Sequence, residues 1–130
     1  LSGKDDLTDQ TTKAIPIGSD DPKKKGTREP ATLILMVGPQ ELVGKQWKLD
    51  KKSSTIGRYS ASEIHVPEKS LSKAHARLSV ADDVVSISDL GATNGTFVNG
   101  KKLTPYSSYQ LRHNDQIKAG SVTFKFLDKA

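Results

Sequence analysis

Residues 74–100 read AHARLSVADDVVSISDLGATNGTFVNG, and the first part of this stretch has the period of paired strands. Ala76, Leu78 and Val80 share one face of a strand, and Val85 with Ile87 share one face of the next, because successive strand side chains point to opposite sides. Asp82 and Asp83 separate the two runs with short polar side chains suited to a tight turn. Beyond Asp89 the alternation stops. The chain turns to Gly, Ala, Thr and Asn, which is loop chemistry, and ends in Asn99-Gly100, a strong short hairpin signal.

Working outward, the same rhythm recurs about every ten residues in short runs bounded by turn-formers. Before the quoted stretch, Thr32 to Val37, Lys45 to Leu49, Ser53 to Arg58 and Glu63 to Val66 read as strands. After it come Thr96 to Val98, a short pair around Lys102 and Leu103, Tyr109 to Leu111, Gln116 to Ala119, and Ser121 to Leu127, where Val122, Phe124 and Phe126 share a face. No segment has the period of a long helix. The spacing predicts an all-β fold, an antiparallel β-sandwich of two sheets and about eleven short strands, over residues 31–130. Its loops, held at one end of a rigid scaffold, are the natural carriers of binding residues.

Residues 1–30 differ. Their large aliphatics are Leu1, Leu7, Ile15 and Ile17, they hold no aromatics, and Asp, Lys, Thr, Ser and Gly dominate. Burial in such a segment cannot offset the entropy of ordering it, so a flexible N-terminal tail is expected. The tail has six basic and six acidic residues, leaving fourteen basic against nine acidic in residues 31–130, so the whole net charge of +5 falls on the folded part. A basic surface favours anionic partners without choosing among them. With no cysteine there is no disulfide, zinc–thiolate or thiol chemistry, and no apolar run is long enough for a membrane-spanning helix. The expectation is a cytoplasmic protein without membrane insertion. Because the sequence opens at Leu1, it is read as a piece of a larger signalling protein with an output domain elsewhere, such as a kinase or a diguanylate cyclase.

Three clusters of reactive side chains fall in loops or at strand ends. They are Gly57-Arg58, then Ser72-Lys73-Ala74-His75, then Asp89-Leu90-Gly91-Ala92-Thr93-Asn94-Gly95-Thr96-Phe97-Val98-Asn99-Gly100. Singly each is ordinary: a surface arginine, a turn hydroxyl, a solvated lysine, an Asn-Gly turn. In this order and spacing they resemble the forkhead-associated (FHA) domain, and the resemblance covers nearly all of residues 31–130. It implies a module that reads phosphothreonine, with Arg58, Ser72, Lys73, Thr93 and Asn94 at the phosphopeptide and Ser70 near the third residue after it. It also implies that Gly57, His75 and Asn99 support the binding loops.

The chemistry of the ligand agrees with those residue types. A phosphothreonine brings about −1.5 to −2 charges and three strong acceptor oxygens, so its reader needs a guanidinium and neutral donors converging on one point. Arg58 offers the fork, Ser72 a hydroxyl, Lys73 an ammonium, Thr93 a hydroxyl or amide, and Asn94 both a donor and an acceptor for an extended peptide backbone.

Other functions fit less well. Ser72, His75 and Asp89 have the composition of a hydrolytic triad but no nucleophile elbow around the serine. A basic β-barrel for single-stranded nucleic acid is the alternative binding module, yet three Phe, three Tyr and one Trp are not interleaved with the basic clusters. Trp47 reads as a packed core residue, and Lys23 to Lys25 form a run too short for a nucleic-acid patch. His65 and His113 have no ligand-spaced partners, so no metal, cofactor or nucleic acid is expected.

The tail holds Thr8, Thr11 and Thr12 among Asp5, Asp6 and Asp9, open to an upstream Ser/Thr kinase. The resemblance adds an arrangement known in some bacterial relatives, in which a phosphorylated tail threonine occupies the domain's own groove. The roughly eighteen residues between Thr12 and the first strand span, as a flexible linker, roughly 20–25 Å. The ligand is therefore expected to be either a threonine-phosphorylated protein or this tail.

Overall fold

The computed structural model describes residues 30–128. Eleven strands and one short 3₁₀ turn make up its regular structure. In chain order the strands are β1 (Thr32–Val37), β2 (Gln46–Lys48), β3 (Ser53–Gly57), β4 (Ile64–His65), β5 (Ala76–Ala81), β6 (Val84–Asp89), β7 (Thr96–Val98), β8 (Lys101–Lys102), β9 (Ser108–Gln110), β10 (Gln116–Ala119) and β11 (Val122–Leu127). The 3₁₀ turn, Gln40–Leu42, joins β1 to β2. Among the described residues no helix is long and apolar enough to cross a membrane.

The strands form two sheets, β8-β7-β10-β11-β1-β2 and β9-β6-β5-β3-β4. Leu33, Leu35, Val98, Ile117, Val122, Phe124 and Phe126 of the first sheet are buried, as are Ile56, Ile64, Ala76, Leu78, Val85 and Ile87 of the second. These are the alternate residues that the period-two pattern assigns to one face, and together they are the core of a sandwich. Trp47 packs against that core, edge-on to Phe124 at 6.0 Å between ring centroids, with the Lys45 ammonium 5.3 Å from its ring centroid. The indole is thus a half-buried packing residue that also carries a cation–π contact.

The β5–β6 hairpin turns through Asp82 and Asp83, whose φ angles of 52° and 65° are the left-handed pair that a two-residue turn needs to match strand twist. One pairing departs from the antiparallel expectation. β3 and β4 run parallel, with Ile56 opposite Ile64 and Gly57 opposite His65. Long parallel strands need an extended crossover, but a ladder of two residues lets the loop 58–63 double back on itself. β4 is too short to cover the rest of the β3 edge, and Glu63 fills the gap by accepting the backbone N–H of Thr55 at 2.9 Å.

That hydrogen bond, followed by one from its own backbone and by the charges of Lys51 and Arg77, holds the Glu63 carboxyl below its ordinary value of 4.5, against a small opposing effect of burial. A carboxyl lowered by folding stabilises the fold above its unfolded value, and the effect fades as the pH falls through the lowered folded value. Urea midpoints of the chain and its Glu63→Gln variant should therefore differ at pH 7 and converge in acid; an equal gap at both pH values contradicts this role. Phe124 has no exposed surface, so Phe124→Ala should cost about 3–5 kcal/mol by urea denaturation.

Candidate functional site

Three loops meet at one end of the sandwich: residues 58–63 after β3, 66–75 before β5, and 90–95 between β6 and β7. Their junction is His75, a side chain with no exposed surface. The backbone N–H of Ser72 donates to Nδ1 at 3.0 Å, and Nε2 donates to the Gly95 carbonyl at 2.8 Å. One nitrogen accepts and the other donates, so the ring is the neutral tautomer with its proton on Nε2. A single imidazole thereby ties the second loop to the third.

Arg58 joins the first loop to the second through its backbone N–H, which donates to the Ser72 carbonyl at 3.1 Å, and through Nε, which donates to the Leu71 carbonyl at 3.0 Å. Nε is thus occupied, and the Nη groups have no hydrogen-bond partner among the described residues. The strand end before it must be glycine. A Cβ on Gly57 would lie 2.1 Å from the Lys73 carbonyl oxygen, closer than any real contact.

Ser72 and Asn94 complete the junction. The Thr93 backbone N–H donates to Ser72 Oγ at 3.1 Å, and Asn94 Nδ2 donates to the Ser70 carbonyl at 2.8 Å. Ser70 Oγ in turn contacts Ser121 Oγ and accepts the Ser121 N–H, both at 2.9 Å, which attaches the β10–β11 turn to the site. Gly120 lets this turn approach: a Cβ there would meet the Ser70 carbonyl at 2.6 Å.

Arg58, Ser70, Ser72, Thr93 and Asn94 are therefore brought together, with Gly57 and His75 directly behind them. Lys73 is adjacent in sequence but lines a different depression, of about 470 Å³, with Thr55, Tyr59, Ser62 and Glu63. Asn99 does not join the group. It bonds Asp115 Oδ1 through Nδ2 and accepts the Gln116 N–H, both at 2.9 Å, at the end of β7 remote from residues 93–95. Its hairpin turn carries it there, so the loop that Asn99 supports is the one before β10. Thr8, Thr11 and Thr12 lie outside the described residues.

Three contributors have roles that the sequence does not spell out. Asp89 is buried; its Oδ2 accepts the N–H groups of Gly91 and Ala92 at 3.0 and 3.3 Å, and its Oδ1 accepts the Thr96 hydroxyl at 2.6 Å. An aspartate two residues before a glycine is an Asx-turn signal that could have revealed it. Tyr106, whose hydroxyl donates to the Leu90 carbonyl at 3.2 Å, and Ser121 are distant in sequence and give no local sign. The same contacts dissolve the triad. The imidazole bonds the backbone of Ser72 instead of its hydroxyl, and Asp89 caps its own loop without touching the ring.

A family model described as FHA domain matches residues 54–120, just over half of the chain. The oxoglutarate dehydrogenase inhibitor of Corynebacterium efficiens is 31% identical over 97 residues, covering 75% of this chain and 65% of that protein. The glycogen accumulation regulator GarA of Mycobacterium tuberculosis is 29% identical over 97 residues, covering 75% and 57%. The chain thus spans less than two thirds of the length of these relatives. Among solved structures, the FHA domain of the CT664 protein from Chlamydia trachomatis aligns with a TM-score of 0.69 and 26% identity, over 77% of this chain and 98% of that one. A domain from a study of phosphothreonine-dependent FHA domain interactions aligns with a TM-score of 0.68 and 27% identity, over 77% and 97%.

His75→Ala strands the Ser72 N–H and the Gly95 carbonyl, and should lower stability by about 2–4 kcal/mol in urea denaturation. Gly57→Ala should cost at least as much, since the atom its Cβ meets is backbone. A Gly57→Ala variant with an unchanged denaturation midpoint would show that the β3 end is free to shift.

Proposed function

The chain belongs to the FHA domain family, and from that premise we propose that residues 31–130 are a phosphothreonine-reading module that regulates other proteins by docking, in the cytoplasm. The observation that carries this reading is the convergence of Arg58, Ser72, Thr93 and Asn94 from three loops, joined by direct hydrogen bonds around the buried His75.

Each group has donor or acceptor capacity left for a ligand. With Nε bound to Leu71, the Arg58 guanidinium is oriented and its Nη edge can grip two phosphate oxygens. Ser72 Oγ already accepts from Thr93, so its own proton is available to a third oxygen. Lys73 adds a mobile positive charge nearby. Asn94 spends one Nδ2 proton on Ser70, which holds the amide while its oxygen receives an N–H from an extended peptide. Ser70 and Ser121 then border the residues after the phosphothreonine. One charged anchor with few side-chain contacts corresponds to a Kd of about 1 μM, roughly −8 kcal/mol.

The curated relatives carry the names of an inhibitor and a regulator, which supports docking in place of catalysis. The ligand is a threonine-phosphorylated protein supplied by a Ser/Thr kinase, and the chain's own tail is a second source. Three positions on from the tail threonines stand Thr11 for Thr8, Ala14 for Thr11 and Ile15 for Thr12, so Thr12 has the largest apolar anchor.

Arg58→Ala should weaken a phosphothreonine peptide by about thirty-fold or more in calorimetry, the loss expected for removing one partner of a charged, hydrogen-bonded pair. The variant should stay folded, its urea midpoint falling only by the loss of the one Nε hydrogen bond to Leu71, about 0.5–1.5 kcal/mol. A folded variant with full affinity overturns the reading. For the tail, a phospho-Thr12 peptide of residues 5–18 should bind a chain lacking residues 1–29 more tightly than its unphosphorylated form does; equal affinities remove the tail as a ligand.

A further inference from the structure

The two sheets turn very different faces to solvent. On the five-stranded sheet the outward register reads Ser53, Ser79, Ser86, Gln110 in one row and Thr55, Arg77, Ser88, Ser108 in the next. It is a hydroxyl-rich surface whose one cation in these rows, Arg77, lies close enough to Glu63 to act on its carboxyl. The six strands of the other sheet contain Lys48, Lys101, Lys102, Lys118 and Lys125 and no Asp or Glu. Outward in that sheet, one row runs Lys102, Phe97, Lys118, Thr123, Val37, and the next runs Gln116, Lys125, Ile34, Gln46. Phe97 is half-buried between two lysines in register, and Met36 and Val37 are 44% and 55% exposed. A depression of about 390 Å³ opens on this face, lined by Phe97, Gly100, Gln116, Lys118 and Thr123.

From this we infer that the outward face of the six-stranded sheet is a second docking surface, which takes an acidic segment of a protein partner with an apolar side chain seated in the depression beside Phe97. The proposal stands apart from the phosphothreonine reading and uses none of its residues. Charge complementarity selects the occupant: several lysines with no acid among the six strands attract carboxylates, and the attraction steers encounter. A second copy of the chain is disfavoured, since a two-fold contact would set these lysines against their own equivalents. Nucleic acid is disfavoured because the six strands carry no arginine and only Phe97 faces outward as an aromatic, half-buried where a base platform must be open. A lipid surface calls for a broad protruding apolar face, whereas here the exposed Val37 borders a depression whose other neighbours in register are Lys102, Lys118 and Lys125.

This face adjoins the loop end. Lys102 Cε lies 3.0 Å from where a Cβ on Gly95 would stand, and Gly95 is the residue whose carbonyl His75 holds. One partner could therefore use both surfaces.

The test uses the full chain, amide NMR and a capped, unphosphorylated peptide of three Glu-Leu-Glu repeats. The expected result is saturable shifts at Phe97, Lys118, Thr123 and Lys125. Lys118→Glu/Lys125→Glu should weaken binding by about tenfold or more, two reversed exposed pairs being worth that much, and Arg58→Ala should leave it unchanged. Shifts confined to residues 58, 72, 93 and 94, or no saturation, overturn the proposal. So does tighter binding at the same residues by a single-stranded oligonucleotide or by phosphatidylserine vesicles. A folded Arg58→Ala variant that keeps this peptide but loses phosphopeptides separates the two surfaces.

Discussion

The His75 imidazole, sealed from water and engaged at both nitrogens, is the interaction on which the binding end depends. It projects from the residue just before β5 and spans the second and third loops, meeting backbone on each side. Backbone partners matter here because they fix where each loop runs, whatever its side chains do. Asp89 does the same within the third loop by collecting two N–H groups and a hydroxyl on one carboxylate. Loops of Gly, Ser, Thr and Asn would otherwise carry a large conformational entropy into any complex. Ordering them beforehand removes that cost from any binding at this end.

The sandwich makes such a frame possible by separating its tasks. Inward residues such as Phe124, Leu35 and Ile87 supply the hydrophobic driving force and leave the loop end free of any duty to the core. Outward residues are free to differ between sheets, and they do: hydroxyls on one, lysines around an aromatic on the other. The positive charge of the folded part is thus no diffuse property of its surface. A large share sits on six strands that carry no compensating acid, beside the loop end where Arg58 stands.

The strands were legible because their signal is local. Alternation at Ala76, Leu78 and Val80, or at Val122, Phe124 and Phe126, needs no partner to be read. The end of a run was harder. Ala74 and His75 continue the apolar look of β5, yet both precede the strand, since His75 is turned inward to the loops. The parallel β3–β4 pair was also hidden, because a two-residue ladder has no pattern of its own and a short connection normally signals a hairpin. Asn99 was grouped with the binding loops by its place in the motif, although the three residues of β7 carry it to the other end.

By itself the sequence determined which side chains face the core, where the chain turns, and which residue types are offered to an anion, since each follows from neighbours a few positions apart. Only the tertiary structure decided which of those residues meet. Ser70 touches Ser121 across fifty-one positions, and Asn94 reaches Ser70 across twenty-four. It also decided that Ser72 and Asp89 lie near His75 without forming a triad, and that lysines scattered from position 48 to 125 share one face. Outside the hairpins, strand pairing is non-local: it joins segments that no window of sequence contains, as with β11 on β1, and the sites made at those junctions exist only once the sheets have formed.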